Sequence, residues 1–249
     1  MTPTDESFTA DTAAAGVDTA ADVAVDPAAA HSSGCPEERA TVILLVRHGA
    51  TATTGSVLPG RAPGLHLAAA GRDQARRVGE RLLERHAREP IRALYSSPLE
   101  RAHETAEASA QALGLPVQIE PSLLECEVGE WTGRSLSELS ALPEWRTVQS
   151  SPSTFRFPGG ESFLEMQDRM VATMDRLRSA HPGGTVVCFS HADPIRSLLA
   201  HALGGPLDSM QRLSVSPCSV SAVLYRDAGN PVVLLTNSSS QSLAELTAQ

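Results

Sequence analysis

The sequence predicts an α/β fold: a single three-layer domain with a mostly parallel central sheet flanked by helices, an antiparallel edge pair, and a disordered N-terminal tail. Three observations predict it. Short, continuous apolar runs rich in β-branched residues recur at 42–46, 91–95 and 185–189, the pattern of strands buried on both faces. Helix-like amphipathic stretches alternate with these runs, and that alternation builds parallel sheets. Near the end of the chain, two further runs at 220–225 and 232–235 flank a turn at 227–230, which reads as an antiparallel pair.

Taken in order, residues 1–40 are dominated by Ala, Thr, Asp and Val without a sustained period. Such a stretch buries too little apolar surface to offset its chain entropy, so disorder is expected there and a folded domain over 41–249. The run 42–46 stops at Arg47-His48-Gly49. Residues 71–88 carry Ala75, Val78, Leu82 and Leu83 on one side, an amphipathic helix, and 91–95 is the next strand, ending at Ser96-Ser97-Pro98. Residues 99–113 read as a helix closed by Gly114, followed by a brief strand at 117–119.

A helical insert is expected at about 134–158, where Leu136, Leu139, Leu142, Trp145 and Val148 recur. It could serve as packing, or as a lid in which Trp131, Trp145 or Phe155 shapes substrate choice; the sequence favours neither. Residues 162–180 form a long helix with Phe163, Met166, Met170, Met174 and Leu177 at helical spacing. The strand 185–189 ends at Ser190-His191, and 195–203 returns to helix.

Composition removes several function classes. All 20 basic residues are Arg and none is Lys, so a P-loop and Schiff-base chemistry are excluded. The net charge of -9 argues against nucleic acid as a partner. Most of that charge lies in residues 1–40, which hold eight acids and one Arg; the remaining chain is nearly neutral. Cys35, Cys126, Cys188 and Cys218 form no CxxC pair and no zinc or disulfide spacing, which fits a reducing cytoplasm. No run is long and apolar enough for a membrane span and no secretory signal is evident, so a cytoplasmic protein without a membrane partner is expected. Nothing in the sequence marks an oligomeric state.

Ligands of parallel sheets bind at the carboxyl ends of the strands, and two runs deliver a histidine there, His48 and His191. Arg47 lies beside the first, and Arg101 follows the second strand. Guanidinium forks match phosphate oxygens, so His and Arg arriving from separate strands point to a phosphoryl group. Each residue alone says little: Arg101 could pair with Glu104 on its own helix.

The set is more specific than its members. Arg47-His48-Gly49, Gly60-Arg61, Ser96-Ser97-Pro98-Leu99-Glu100-Arg101 with Thr105-Ala106, Glu125 followed by Gly129-Glu130-Trp131-Thr132-Gly133, and Ser190-His191 together resemble the histidine phosphatase superfamily. In their order from Thr41 to about Leu235, they look like its phosphoglycerate-mutase-like branch. The resemblance implies that His48 becomes phosphohistidine, that Arg47, Arg101 and His191 bind the phosphoryl oxygens with Arg61 at the rim, and that Glu125 protonates the departing oxygen. It implies a small phosphorylated metabolite as partner and no metal or other cofactor.

The chemistry fits those roles. Imidazole attacks phosphorus when neutral, and nearby arginines oppose its protonation. An alkoxide is a poor leaving group, so an acid with a raised pKa suits the position of Glu125. Glu127 is the runner-up acid, while Glu130 reads as surface or as a supporting partner. Asp193 could form a metal site with His48, but no further ligand spacing supports one, and His103 reads as structural.

The departures favour hydrolysis. Where the mutases carry Glu-Ser after Arg-His-Gly and an Asn three residues on, this chain has Ala50, Thr51 and Thr54. Arg134 and Arg146 are widely spaced between Glu125 and the Phe157-Pro158-Gly159-Gly160-Glu161 turn, with Arg156 at its edge, so no cluster for a substrate carboxylate is evident. A phosphomutase is the alternative. A non-catalytic phospho-ligand-binding relative is disfavoured because all six site residues are present.

Overall fold

The computed structural model describes residues 40–240. The acidic tail lies outside the described residues, apart from Ala40, which already belongs to the first strand. The sheet has six strands: β1 (Ala40–Arg47), β2 (Ile91–Ser96), β3 (Val117–Ile119), β4 (Thr185–Ser190), β5 (Val220–Arg226) and β6 (Val232–Ser238), in the order β3-β2-β4-β1-β5-β6. The β3, β2, β4 and β1 strands run parallel, while β5 and β6 complete the sheet as antiparallel neighbours.

Alternation along each strand divides the core between two faces. On one, Ile43 and Leu45 of β1 and Val186 and Cys188 of β4 pack against Met170, Met174 and Leu177 of α5 (Phe163–Ala180) and Ile195, Leu198 and Leu199 of α6 (Ala192–Ala202). On the other, Leu44, Val46, Val187 and Phe189 meet Ala75, Val78 and Leu82 of α1 (Ala69–Arg88) and Ala106, Ala110 and Leu113 of α2 (Glu100–Leu113). Both faces of β1 and β4 are therefore buried, which explains runs of apolar residues without a polar alternate. The layers are helix, sheet, helix.

Boundaries shift where polar residues open an element. α6 starts at Ala192 rather than at the first apolar residue, Ile195, because His191 occupies its cap and Pro194 sits in the first turn, where backbone N–H groups lack helical partners anyway. α5 opens on a capping box in which Ser162 and Glu165 exchange side-chain and backbone hydrogen bonds. β6 extends to Ser238, past the apolar run, because Ser238 pairs with Val220 of β5 beyond an irregularity in register that holds Thr236 and Asn237.

The insert is helical, with α3 (Leu136–Ser140) and α4 (Pro143–Ser150) followed by a 3-10 turn at Pro152–Thr154. Part of it packs into the core. Trp131, Leu139, Val148, Phe155 and Phe157 are buried with Phe163 and Met166 in a third cluster, and the Trp131 ring centroid lies 5.4 Å from both Phe155 and Phe157. Among the described residues no helix is long and apolar enough to cross a membrane.

Candidate active site

Register brings the two histidines together. Arg47 of β1 pairs with Ser190 of β4, so the next residue of each parallel strand, His48 and His191, emerges at the same edge. Their ring centroids lie 5.2 Å apart, and the His48 backbone N–H donates to the Ser190 carbonyl at 3.0 Å. From the adjoining end of β2, the Ser97 hydroxyl lies 2.8 Å from His191 Nε2. Gly49 is required by crowding: a Cβ there would stand 2.6 Å from the Gly71 carbonyl oxygen, where α1 begins.

Arg101, in the first turn of α2, is fully buried. Its Nη2 donates to the Gly60 carbonyl at 2.8 Å. One turn on, the Thr105 hydroxyl donates to the Arg101 carbonyl at 2.7 Å and accepts from the Gly49 N–H at 3.0 Å. α2 thus fixes both its own arginine and the loop bearing His48.

The tautomer of His48 follows from its partner. Nδ1 lies 2.8 Å from the Gly49 carbonyl oxygen, which can only accept, so Nδ1 carries the proton and Nε2 keeps its lone pair. Burial, with Arg47 and Arg101 adding repulsion, holds this ring neutral well below the usual histidine range. Burial and then Arg101 do the same for His191.

Around this pair, several buried nitrogens have no partner: Arg47 Nε, Arg101 Nε and Nη1, Arg196 Nε, and His191 Nδ1, which is a donor in the tautomer whose Nε2 accepts from the Ser97 hydroxyl. Each buried unpaired donor costs about 1–3 kcal/mol. A compact anion with several acceptor oxygens is the chemical complement of such a set. Arg47, fixed through Nη1 to the Val215 carbonyl at 2.6 Å, is brought down to about 10 by burial and then by Arg196. Even so it stays charged at neutral pH.

Glu125 joins the site as a perturbed acid. Its Oε1 accepts from the Cys126 N–H at 2.9 Å. Burial, followed by the charge of Asp193, pushes its carboxyl up to about 7, against the opposing pull of Arg101 and Arg47. A carboxyl so shifted is substantially protonated at neutral pH.

Arg61 departs from the sequence expectation. Its Nε donates to the Glu125 carbonyl at 2.8 Å, its Nη2 pairs with Glu161 at 3.0 Å, and its Nη1 faces Glu127 at 3.8 Å. It is tied to the loop that carries Glu125, not aimed with the unpaired donors. Glu127 is correspondingly an ion-pair partner, and Glu130 is exposed. His103 faces Glu107 on its own helix at 3.5 Å.

Sequence reasoning missed Arg196 and assigned Asp193 only as a possible metal ligand. The two form an ion pair at 3.2 Å on the first turns of α6. Their i, i+3 spacing directly after His191 was the available signal. With Arg196, Arg47 and Arg101 close by, the surroundings of His48 and Asp193 repel a cation, and among the described residues no group of three or more His, Cys, Asp and Glu side chains could hold a metal ion.

The chain is 34% identical over 205 residues to the "Bifunctional protein Rv2228c" of Mycobacterium tuberculosis, an alignment covering 78% of this chain and 53% of that protein. It thus spans about half the length of that relative. It is 31% identical to "Phosphoserine phosphatase 1" of Hydrogenobacter thermophilus, over 78% of this chain and 90% of the other. The "Probable phosphoglycerate mutase GpmB" of Salmonella choleraesuis is 32% identical, over 75% and 86% respectively. Among solved structures, the mycobacterial glucosyl-3-phosphoglycerate phosphatase Rv2419c superposes with a TM-score of 0.73 at 25% identity, covering 81% of this chain and all of that one. The sequence profile of the histidine phosphatase superfamily (branch 1) matches residues 43–238, from inside β1 to the last residue of β6. With both histidines standing at the ends of adjoining parallel strands within that span, the chain belongs to the histidine phosphatase superfamily, branch 1.

Proposed function

We propose that the chain is a phosphatase that hydrolyses a small phosphorylated metabolite through a phosphohistidine on His48. The observation that carries this reading is the group of unpaired buried donors on Arg47, Arg101 and His191 beside a neutral His48 whose Nε2 is unprotonated. These donors take the phosphoryl oxygens. The Nε2 lone pair forms an N–P bond as the ester P–O bond breaks, and Glu125 delivers its proton to the leaving oxygen. Water then attacks phosphorus, Glu125 takes the proton of that water, the N–P bond breaks, and phosphate leaves with the acid restored. The step uses positioning, charge stabilisation and acid–base catalysis, with no group beyond these side chains.

The test is quenched-flow trapping during turnover of p-nitrophenyl phosphate. A phosphoprotein stable in alkali and labile in acid is expected with wild-type protein and absent from His48→Ala, whose turnover should fall by at least ~10³-fold. A variant that turns over at the wild-type rate refutes the reading.

The similarity to the GpmB protein supports a phosphomutase as the second reading. Conversion of 3-phosphoglycerate, assayed with and without a bisphosphate primer, separates the two. Mutase turnover above phosphate release would favour the second.

A further inference from the structure

Three segments distant in sequence converge on one backbone atom. The carbonyl oxygen of Glu125 accepts from Arg61 Nε at 2.8 Å and from Arg169 Nη2 at 3.1 Å. Arg61 comes from the connection after β1 and Arg169 from α5. Between the two guanidinium groups lies Glu161: its Oε1 takes Arg169 Nε at 2.8 Å, while its Oε2 takes Arg169 Nη2 at 3.2 Å and Arg61 Nη2 at 3.0 Å. Arg169 Nη1 also donates to the Ser122 carbonyl at 2.7 Å, on the other side of the acid.

The backbone repeats this clasp. Glu161 N–H donates to the Glu127 carbonyl at 2.8 Å, and Glu130 N–H donates to the Pro158 carbonyl at 2.9 Å. Gly129 adopts a φ of +51°, and a Cβ there would stand 2.1 Å from the Pro158 carbonyl oxygen. Two arginines and a carboxylate, each with less than a third of its side chain exposed, are therefore spent on holding one loop. Simple packing of that loop would not need a charged pair of donors on the one carbonyl that belongs to the acid.

We propose that Arg61, Glu161 and Arg169 form a positioning triad, with Glu161 at its centre, that sets where the Glu125 carboxyl meets the leaving oxygen. This rests on the reading of Glu125 as the proton donor. The triad touches no reacting atom; it acts through the Glu125 backbone. With the Glu161 charge removed, the two guanidinium groups repel each other, the Glu125 carbonyl loses its fixed donors, and the carboxyl moves off the line of proton delivery.

The readout is leaving-group dependence. A p-nitrophenolate departs without a proton, whereas an alkoxide needs one, so a misplaced acid slows alkyl esters selectively. The quantity is kcat/KM, which reports steps up to release of the alcohol. For Glu161→Gln, kcat/KM on β-glycerophosphate should fall roughly 10- to 100-fold, while that on p-nitrophenyl phosphate changes by less than about threefold. Arg169→Lys should show the same selectivity to a smaller extent, and it carries the comparison should Glu161→Gln fail to fold by circular dichroism.

Glu125→Gln is the control. If it shows the selective loss and the triad variants lose both esters equally or neither, the triad is overturned and the acid assignment stands. If Glu125→Gln itself shows no selectivity, the acid assignment falls and takes the triad with it.

Discussion

If Glu125 donates the proton, kcat/KM on an alkyl ester must fall as the pH rises past its pKa. The structure gives the position of that fall. Burial and Asp193 push the carboxyl up to about 7. His48, held neutral well below the usual histidine range, adds no acid limb near neutrality, so the rise on the acid side belongs to the second ionisation of the ester, near pH ~6. The profile is then a narrow bell. Between pH 7 and 9 the protonated fraction of a group titrating near 7 drops from one half to about a hundredth, a loss of roughly 50-fold. A carboxyl at its ordinary value would already be ~150-fold less protonated at pH 7, a loss of available acid that its greater acidity offsets only in part.

The assay is kcat/KM for β-glycerophosphate and p-nitrophenyl phosphate across pH 5–9. The basic limb should appear with the alkyl ester, be absent with the aryl ester, and disappear in Glu125→Gln. Asp193→Asn removes the second-largest cause of the raised value and should move the limb to lower pH. A flat alkyl-ester profile up to pH 9, or an identical basic limb for both esters, would refute the assignment.

Four other outcomes follow from the same contacts. Arg101→Met removes two of the unpaired donors and should lower kcat/KM by about 10²–10³ on aryl and alkyl esters alike, since the phosphoryl group is common to both. Inorganic phosphate or orthovanadate at 100 times its wild-type Kd should stabilise the fold by about 2.7 kcal/mol, which raises Tm by roughly 5–10 °C in a thermal melt and by less in Arg101→Met at the same concentration. Trp131→Ala, at the centre of the insert's aromatic cluster, should cost about 3–5 kcal/mol by urea denaturation; a negligible cost would mean that the insert is a lid and not core. Gly129→Ala meets both a φ of +51° and the Pro158 carbonyl, and should lose about 2–4 kcal/mol in the same measurement, with alkyl-ester activity falling further than aryl-ester activity.

The strands, helices and histidines were legible because their signals are local. A run buried on both faces shows itself in four or five consecutive residues, and its end shows where a side chain enters the crevice, as at His48 and His191. Arg101 was readable by the same logic, one turn beyond the end of β2. The polar first turn of α6 was not, because hydrophobic periodicity starts only at Ile195, so the partnership of Asp193 with Arg196 went unread although their spacing could have signalled it. The partners that orient the site were illegible for a different reason. Val215 fixes Arg47 from 168 positions away and Ser97 meets His191 across 94, contacts that exist only once the strand order is set. Arg61 shows the limit most clearly. An arginine near a phosphate site reads as a phosphate ligand, yet two carboxylates and a carbonyl, all 64 or more positions distant, claim it instead.

Each unfavourable feature of this site has the same remedy. Unpaired guanidinium donors weaken the free protein by about 1–3 kcal/mol each, while the raised carboxyl of Glu125 costs stability above its ordinary pKa and the lowered histidines cost it below theirs. A phosphate dianion gives acceptors to the donors and offsets the arginine repulsion that, after burial, keeps His191 neutral. Glu125 is different, because a dianion disfavours its ionisation further and so keeps the proton on the acid until the leaving oxygen takes it. Binding therefore strengthens the protonation state that the first step requires. If the unpaired groups of Arg47, Arg101 and His191 all address the phosphoryl group, as proposed, free phosphate should satisfy them as well as an ester does and compete with it. Discrimination among esters must then come from side chains beyond these donors, around the leaving alcohol.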